Sequence, residues 1–200
     1  MTEKHKKYRK PPVEEVFCRV DFPPILRISK ELPAEFQEKI RTDYPNYSKN
    51  VGQEAFVSGA GDKQVSPAVS ATYLNTYTFQ TEGNNGLITI APNFLFFSAK
   101  SYVDWDDFKQ KFNKIFKLFE ETYSPQYYSR AGLRYCDVFV RSKYGLTDKR
   151  WADLINPEFL GHLSNERVED DRFNSACDVK FKDGDERARI TAGIALDDNN

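Results

Sequence analysis

The sequence has little histidine, cysteine or methionine, and these shortages restrict its chemistry. Metal centres need clustered histidine, cysteine or carboxylate ligands, yet only two histidines occur among the 200 residues. The three cysteines are an odd number and lie far apart, which argues against a secreted disulfide scaffold. We interpret Cys18, Cys136 and Cys177 as buried free thiols, because cysteine packs as a small apolar residue. We expect neither a metal ion nor a cofactor.

The sequence also lacks a charge excess and a long apolar run. Its 29 basic and 30 acidic residues give a formal net charge of −1, which offers no overall attraction to nucleic acid or to an anionic membrane. No apolar run approaches the roughly 20 residues that cross a bilayer. Residues 1–10 lack the apolar stretch of a signal peptide. We therefore predict a soluble, cytoplasmic protein without a membrane partner, and we do not expect nucleic acid as its ligand.

Length and composition predict one domain preceded by a tail. The 200 residues match the usual size of a single domain, and 16 phenylalanines with 11 tyrosines indicate an aromatic core. Residues 1–10 are basic and polar and end at Pro11-Pro12, so we predict a flexible tail that is dispensable for folding. Residues 11–200 are then expected to form a single α+β domain.

Period-two alternation predicts the strands. Between Val13 and Phe22, apolar residues at every second position indicate a half-buried strand. Residues 51–68 are rich in glycine and serine and predict a long loop that includes at most a short strand at 55–58. The predicted strands are 13–22, 69–80, 87–91, 94–100 and 130–141, with a final hairpin of 177–181 and 188–196 in which Ile190, Ile194 and Leu196 face inward.

Helical periodicity predicts three helices, at 32–44, 104–123 and 147–163. In the second helix, Asp104 suits the N-cap. Its apolar side is expected to be buried against the strands and consists of Trp105, Phe108, Phe112, Ile115, Phe119 and Tyr123. The resulting order is strand-helix-three-strand meander-helix-strand-helix-hairpin. It predicts an α+β fold, with helices packed on one face of an antiparallel sheet.

Arg130 and Arg134 are the candidate anion-binding residues. They lie four residues apart on a predicted strand, so both point to one face, about 13 Å apart at roughly 3.3 Å per residue. Arginine binds carboxylate or phosphate groups through its fork of N–H donors. The alternative, which is the commoner use of arginine, is ion pairing with strand carboxylates such as Glu15 or Asp137.

No familiar catalytic or ligand-binding motif is complete. His5 falls in the tail and His162 near a predicted helix end, and no nucleophile motif accompanies either. Gly59-Ala60-Gly61 lacks the lysine of a phosphate loop. Asp183-Gly184-Asp185 lacks the other calcium ligands and predicts a hairpin turn. We name no catalytic residue and favour a protein that is not an enzyme.

Several blocks of the sequence resemble one protein family. They are Pro11-Pro12-Val13-Glu14-Glu15-Val16-Phe17, Phe22-Pro23-Pro24, Leu87 to Leu95, Trp105-Asp106-Asp107-Phe108 and Arg130-Ala131-Gly132-Leu133-Arg134-Tyr135. Together they resemble an uncharacterised, sporadically distributed prokaryotic family over most of the chain. Its patchy distribution implies an accessory or defence-related role. Its members run on past the equivalent of Ala195-Leu196, so the resemblance implies a missing C-terminal strand or a short variant.

Two functional hypotheses are open at this point. The first is a soluble binding or interaction module, which has an unknown protein partner or self-associates through a C-terminal edge strand at 188–196. The alternative is an enzyme or an anion- or nucleotide-binding protein that uses Arg130 and Arg134 with nearby carboxylates such as Glu14, Glu15 and Asp137. A deep pocket lined by those charges would favour the alternative, whereas a flat sheet face or an exposed edge would favour the module.

Overall fold

The computed structural model describes residues 11–57, 69–160 and 174–195. The chain divides into two compact units, Met1–Val138 and Phe139–Asn200, and each has its own secondary structure. The single domain expected over residues 11–200 stays a prediction. The expected tail of residues 1–10 lies outside the described residues.

The first unit is built on a six-stranded antiparallel sheet, which confirms the predicted α+β fold class. Its strands are β1 (Val13–Asp21), β2 (Asn46–Val57), β3 (Val69–Gln80), β4 (Gly86–Ala91), β5 (Phe94–Ala99) and β6 (Arg130–Asp137). Its helices are α1 (Leu26–Lys30), α2 (Ala34–Ile40) and α3 (Trp105–Tyr123). The strand order is β2-β3-β4-β5-β1-β6, so the first strand lies between the meander and the last strand of this unit.

The two faces of the sheet differ because side chains alternate along each strand. On the first face, Val16 and Val20 of β1 are buried beside Ala99 and Leu95 of β5. The same core cluster receives buried side chains from all three helices, namely Ile28, Phe36, Ile40, Phe108, Ile115 and Phe119. We call this the helix face. The opposite face carries the alternate residues of β1, which include Phe17, Arg19 and Asp21.

Helix α3 forms as predicted, and its apolar stripe supplies much of the core. Asp104 caps the N-terminus, because its carboxylate accepts a hydrogen bond from the Asp107 amide at 2.9 Å. Phe108 and Phe119 are buried as expected. Phe112, which was expected to be buried with them, packs against the same core but is only partly buried.

Two predictions between β1 and β3 differ in part from the structure. The helix predicted at 32–44 is present but shorter, as α2, and Pro33 is its N-cap with φ −76° and ψ 47°. Helix α1 precedes it and was not predicted. Residues 51–57 belong to β2 rather than to a loop. They pair in register with residues 69–75 of β3, and that pairing outweighs their low intrinsic strand propensity. The remainder of the predicted loop, 58–68, lies outside the described residues.

Among its described residues, the second unit contains two 3₁₀ turns, a short helix and a hairpin. The turns are Arg141–Tyr144 and Trp151–Asp153, the helix is α4 (Pro157–Leu160), and the hairpin joins β7 (Asn174–Asp183) to β8 (Glu186–Ala195). The helix predicted at 147–163 is therefore wrong in extent. Proline suits the first turn of a helix but disrupts a helix that passes through it, and here Pro157 begins α4.

The C-terminal hairpin is confirmed and is longer than predicted. Gly184 takes the turn with a φ of 55°, a conformation that glycine adopts without strain. Ile190 was expected to face inward but is 42% exposed, because a two-stranded sheet buries little by itself. The side chains of Ile194 and Leu196 lie outside the described residues. β7 and β8 form a separate two-stranded sheet in the described chain.

Candidate functional site

Strand β6 places both candidate anion-binding residues on the face opposite to the helices. In its antiparallel pairing with β1, Arg130 lies opposite Asp21, and Arg134 lies opposite Phe17. Both arginines are exposed, and 73% of the Arg130 side chain is accessible. The predicted placement of the two residues on one strand face is therefore present in the fold.

Arg130 is paired with a carboxylate that was not predicted from the sequence. Its Nη1 atom is 3.8 Å from Oδ2 of Asp21, and the other oxygen of Asp21 accepts a 2.6 Å hydrogen bond from Nε of Arg19. Glu15, a predicted partner, instead accepts a hydrogen bond from the Ser98 hydroxyl at 2.5 Å. The register between β1 and β6 decides this choice, because it places Asp21 directly opposite Arg130.

Arg134 lies over an aromatic ring. Its guanidinium carbon is 5.4 Å from the centre of the Phe17 ring, and the Phe17 ring centre is itself 5.4 Å from that of Phe96. A second contact of this kind places the guanidinium carbon of Arg19 3.9 Å from the centre of the Phe94 ring. An aromatic face attracts a guanidinium group but does not occupy its N–H donors. Arg134 is therefore an oriented cation at the margin of the sheet.

The helix-face side of β6 carries exposed apolar side chains. Leu133 and Tyr135 alternate with the arginines and are 45% and 41% exposed. The Tyr135 ring meets the Tyr102 ring edge-to-face at 5.6 Å between centres. Burial, together with a hydrogen bond to Tyr135, raises the pKa of Tyr102. The helices therefore cover the side chains of β6 less than those of β1, and Leu133 and Tyr135 remain accessible to solvent.

The hydrogen bonds of β1 show which backbone groups of β6 point outward. The amide of Phe22 donates to the Asn93 carbonyl on the β5 side at 3.0 Å, whereas the Asp21 carbonyl accepts from the Ser129 amide on the β6 side at 2.9 Å. Successive residues of an antiparallel strand bond to alternate neighbours. The odd-numbered residues of β1 therefore bond towards β6.

Strand β6 consequently presents a backbone edge with which no described strand pairs; this is called the open edge. Arg130, Gly132 and Arg134 lie opposite the odd-numbered residues of β1, so their backbone groups point towards β1. The N–H and C=O groups of the alternate residues point away from β1, and these residues are Ala131, Leu133 and Tyr135. Within the part of the chain that the structure describes, β6 ends the sheet. One strand thus combines an open backbone edge, a row of arginines and a row of apolar side chains.

One pocket among the described residues lies away from these arginines. It has a volume of about 290 Å³ and is lined by Arg27, Glu31, Leu32, Pro33, Ala34, Glu35 and Tyr123. Within it, Arg27 donates to the Glu35 carboxylate at 3.0 Å and to the Thr122 carbonyl at 3.1 Å. A cation beside the last carbonyls of a helix is stabilising, so Arg27 ties α1 and α2 to the end of α3.

The other chemical candidates are not assembled into a site. The three cysteines are free and half-buried rather than fully buried, and burial raises the pKa of Cys18 to about 11. His5, His162 and Gly59-Ala60-Gly61 lie outside the described residues. Within the described ranges, no three His, Cys, Asp or Glu side chains are grouped as metal ligands. None of the helices in those ranges has the length and apolar character needed to cross a membrane.

Both arginines were predictable from the sequence, whereas the aromatic rings beside them were not. Phe17, Phe94 and Phe96 share the opposite face with the arginines through the pairings of β1 with β5 and β6. The alternation of β1 was a partial signal, because it grouped Phe17 with Arg19 and Asp21. The missing information was which strands lie on either side of β1.

In comparisons with known proteins, the chain matches no family model, no curated protein and no solved structure. The family resemblance therefore stays an expectation. The described residues define an α+β protein whose antiparallel sheet ends at β6.

Proposed function

We propose that this chain is a protein-binding module that captures an extended segment of a partner along β6. The observation that carries the proposal is the open backbone edge of β6, flanked by two chemically different rows of exposed side chains. A strand added at a sheet edge gains affinity from main-chain hydrogen bonds and specificity from alternate side chains. The proposal includes a cytoplasmic location and an accessory role, supported by the small number of cysteines and by the family resemblance.

The alternative, an anion- or nucleotide-binding protein, would use the same arginines. Their Cα atoms are roughly 13 Å apart along the strand, and each guanidinium group has its own contact, Asp21 for Arg130 and the Phe17 ring for Arg134. Arg130 also shares Asp21 with Arg19, which reduces the positive charge available there. An extended ligand that presents a separate acidic group to each arginine fits this spacing better than a compact anion does.

The test of strand addition uses a fluorescent peptide as long as β6 that alternates valine and glutamate. Two further peptides carry N-methyl groups on alternate amides, one on the even-numbered and one on the odd-numbered positions. A strand pairs through one edge, so only one methylation pattern removes the amides that face β6. We expect the parent peptide to bind in the micromolar range, about 10 to 100 µM, with one methylated peptide inactive and the other unaffected.

A matched pair of protein variants tests the same edge. Leu133→Pro removes an outward amide without removing a hydrogen bond to β1, whereas Leu133→Ala shortens the side chain and keeps the amide. We expect the proline variant to lose peptide binding and the alanine variant to lose much less. Equal binding to both methylated peptides, or unimpaired binding by a folded proline variant, would overturn strand addition. If the proline variant fails to fold, the methylated peptides decide alone.

A further inference from the structure

We infer that the partner segment alternates acidic and apolar residues and belongs to another protein rather than to a second copy of this chain. The inference rests on the proposed function and assigns the chemistry of the partner. It is carried by the order of side chains on β6 and by the contacts that hold its arginines.

The arginine row favours acidic residues in the partner. Directly opposite residues of paired strands have their side chains on the same face, about 4.5 to 5.5 Å apart at Cβ. Arg130 and Arg134 therefore meet partner residues four positions apart. Gly132, between them on the same face, has no side chain to compete. Because the Phe17 ring supports Arg134, less side-chain freedom is lost when this arginine binds a carboxylate.

The apolar row favours apolar residues at the alternate positions. The side chains that would meet the partner on the helix face belong to Ala131, Leu133 and Tyr135, and all three are exposed. Asp137 ends the strand on this same face. It therefore limits the apolar contact to the three residues that precede it. The partner segment is amphipathic with a period of two residues.

A second copy of the chain is a poor occupant of this edge. Identical strands pair antiparallel about a two-fold axis perpendicular to the sheet, and that axis keeps the arginine rows of both copies on one face. A register centred on Gly132 sets Arg130 of one copy directly opposite Arg134 of the other. Like charges directly opposite each other destabilise a strand pair, so the arginines oppose self-pairing in this register, whereas they attract an acidic partner.

The experiment compares charge reversal at the arginines with charge reversal elsewhere. The test variant is Arg130→Glu with Arg134→Glu. The control is Arg41→Glu with Lys109→Glu, which changes the net charge equally at two exposed positions of the same unit. The probes are the valine–glutamate peptide and a valine–lysine peptide of the same length, with binding followed by fluorescence anisotropy.

We expect the test variant to bind the glutamate peptide at least tenfold more weakly, and to bind the lysine peptide more tightly than the parent protein does. The control variant should bind like the parent. Raising the salt concentration should weaken binding of the glutamate peptide, because exposed ion pairs are screened. Should the double variant fail to fold, Arg134→Glu against Arg41→Glu gives the same comparison with one pair of charges.

Three results would overturn the inference. If charge reversal has no effect while one methylated peptide still fails to bind, strand addition stands and the acidic partner is wrong. If sedimentation shows a dimer that Leu133→Pro abolishes, the occupant is a second copy. If single-stranded oligothymidine binds more tightly than the glutamate peptide and loses affinity in Arg134→Glu, the ligand is a nucleic acid.

Discussion

The guanidinium carbon of Arg134 lies 5.4 Å from the centre of the Phe17 ring, and the two residues form a directly opposite pair between β6 and β1. The contact orients a cation at the outermost strand of the sheet. The contact therefore links β1, which contributes to the core, to β6, on which the proposed binding site lies.

This contact should contribute little to folding, because Arg134 is exposed and cation–ring contacts at such sites are worth about 0.5 to 1 kcal/mol. Arg134→Ala should lower the free energy of unfolding by no more than about 1 kcal/mol, measured by urea denaturation. Arg134→Lys keeps the charge and serves as the control. A loss above about 2 kcal/mol would show that Arg134 holds the sheet together and would remove it as a residue kept for binding.

The aromatic core makes a second prediction. Phe119 is fully buried, and its ring lies 5.1 Å from that of Phe22 and 5.1 Å from that of Tyr123. Phe119→Ala should cost about 3 to 5 kcal/mol, the usual range for removing a buried ring. Phe112→Ala, on the same helix but only partly buried, should cost clearly less. Equal losses in chemical denaturation would contradict the burial difference between these two rings.

The third prediction concerns stability at high pH. Burial, with a smaller contribution from Asp43, raises the pKa of Tyr44 to about 12 from 10.0. Because the folded-state pKa is above the unfolded one, the contribution of Tyr44 to stability is complete below about pH 10 and is lost as the pH rises to about 12. The loss attributable to this phenol is roughly 2 to 3 kcal/mol.

Tyr44→Phe keeps the buried ring and removes the ionisable hydroxyl. The measurement is the free energy of unfolding in urea at pH 8 and at pH 11, for the parent and the variant. We expect the free energy of unfolding to decrease less between the two pH values for Tyr44→Phe than for the parent. The other tyrosines affect both proteins alike, so the comparison isolates Tyr44. An equal decrease in both proteins would show that Tyr44 ionises without opposing the fold.

Local periodicity predicted the helices and strands that pack against the same core along their whole length. Helix α3 lies along one core, so the spacing of Phe108, Ile115 and Phe119 reports its buried side directly. The meander from β3 to β5 was also predicted, since its turns join neighbouring strands. Prediction failed for residues 51–57 of β2, which are held by pairing with β3. It also overestimated the length of the helices at Pro33 and Pro157, each of which stands at a helix start.

The sequence by itself determined the strand and helix periodicity, the aromatic content of the core, and the placement of Arg130 and Arg134 on one side of their strand. Each of these depends on residues close together in the chain. Only the tertiary structure decided that β1 lies between β5 and β6, that Asp21 and Phe17 face the two arginines, and that β6 ends the described sheet. Strand order and register depend on contacts between residues far apart in the chain, and local alternation carries no record of which strands become neighbours.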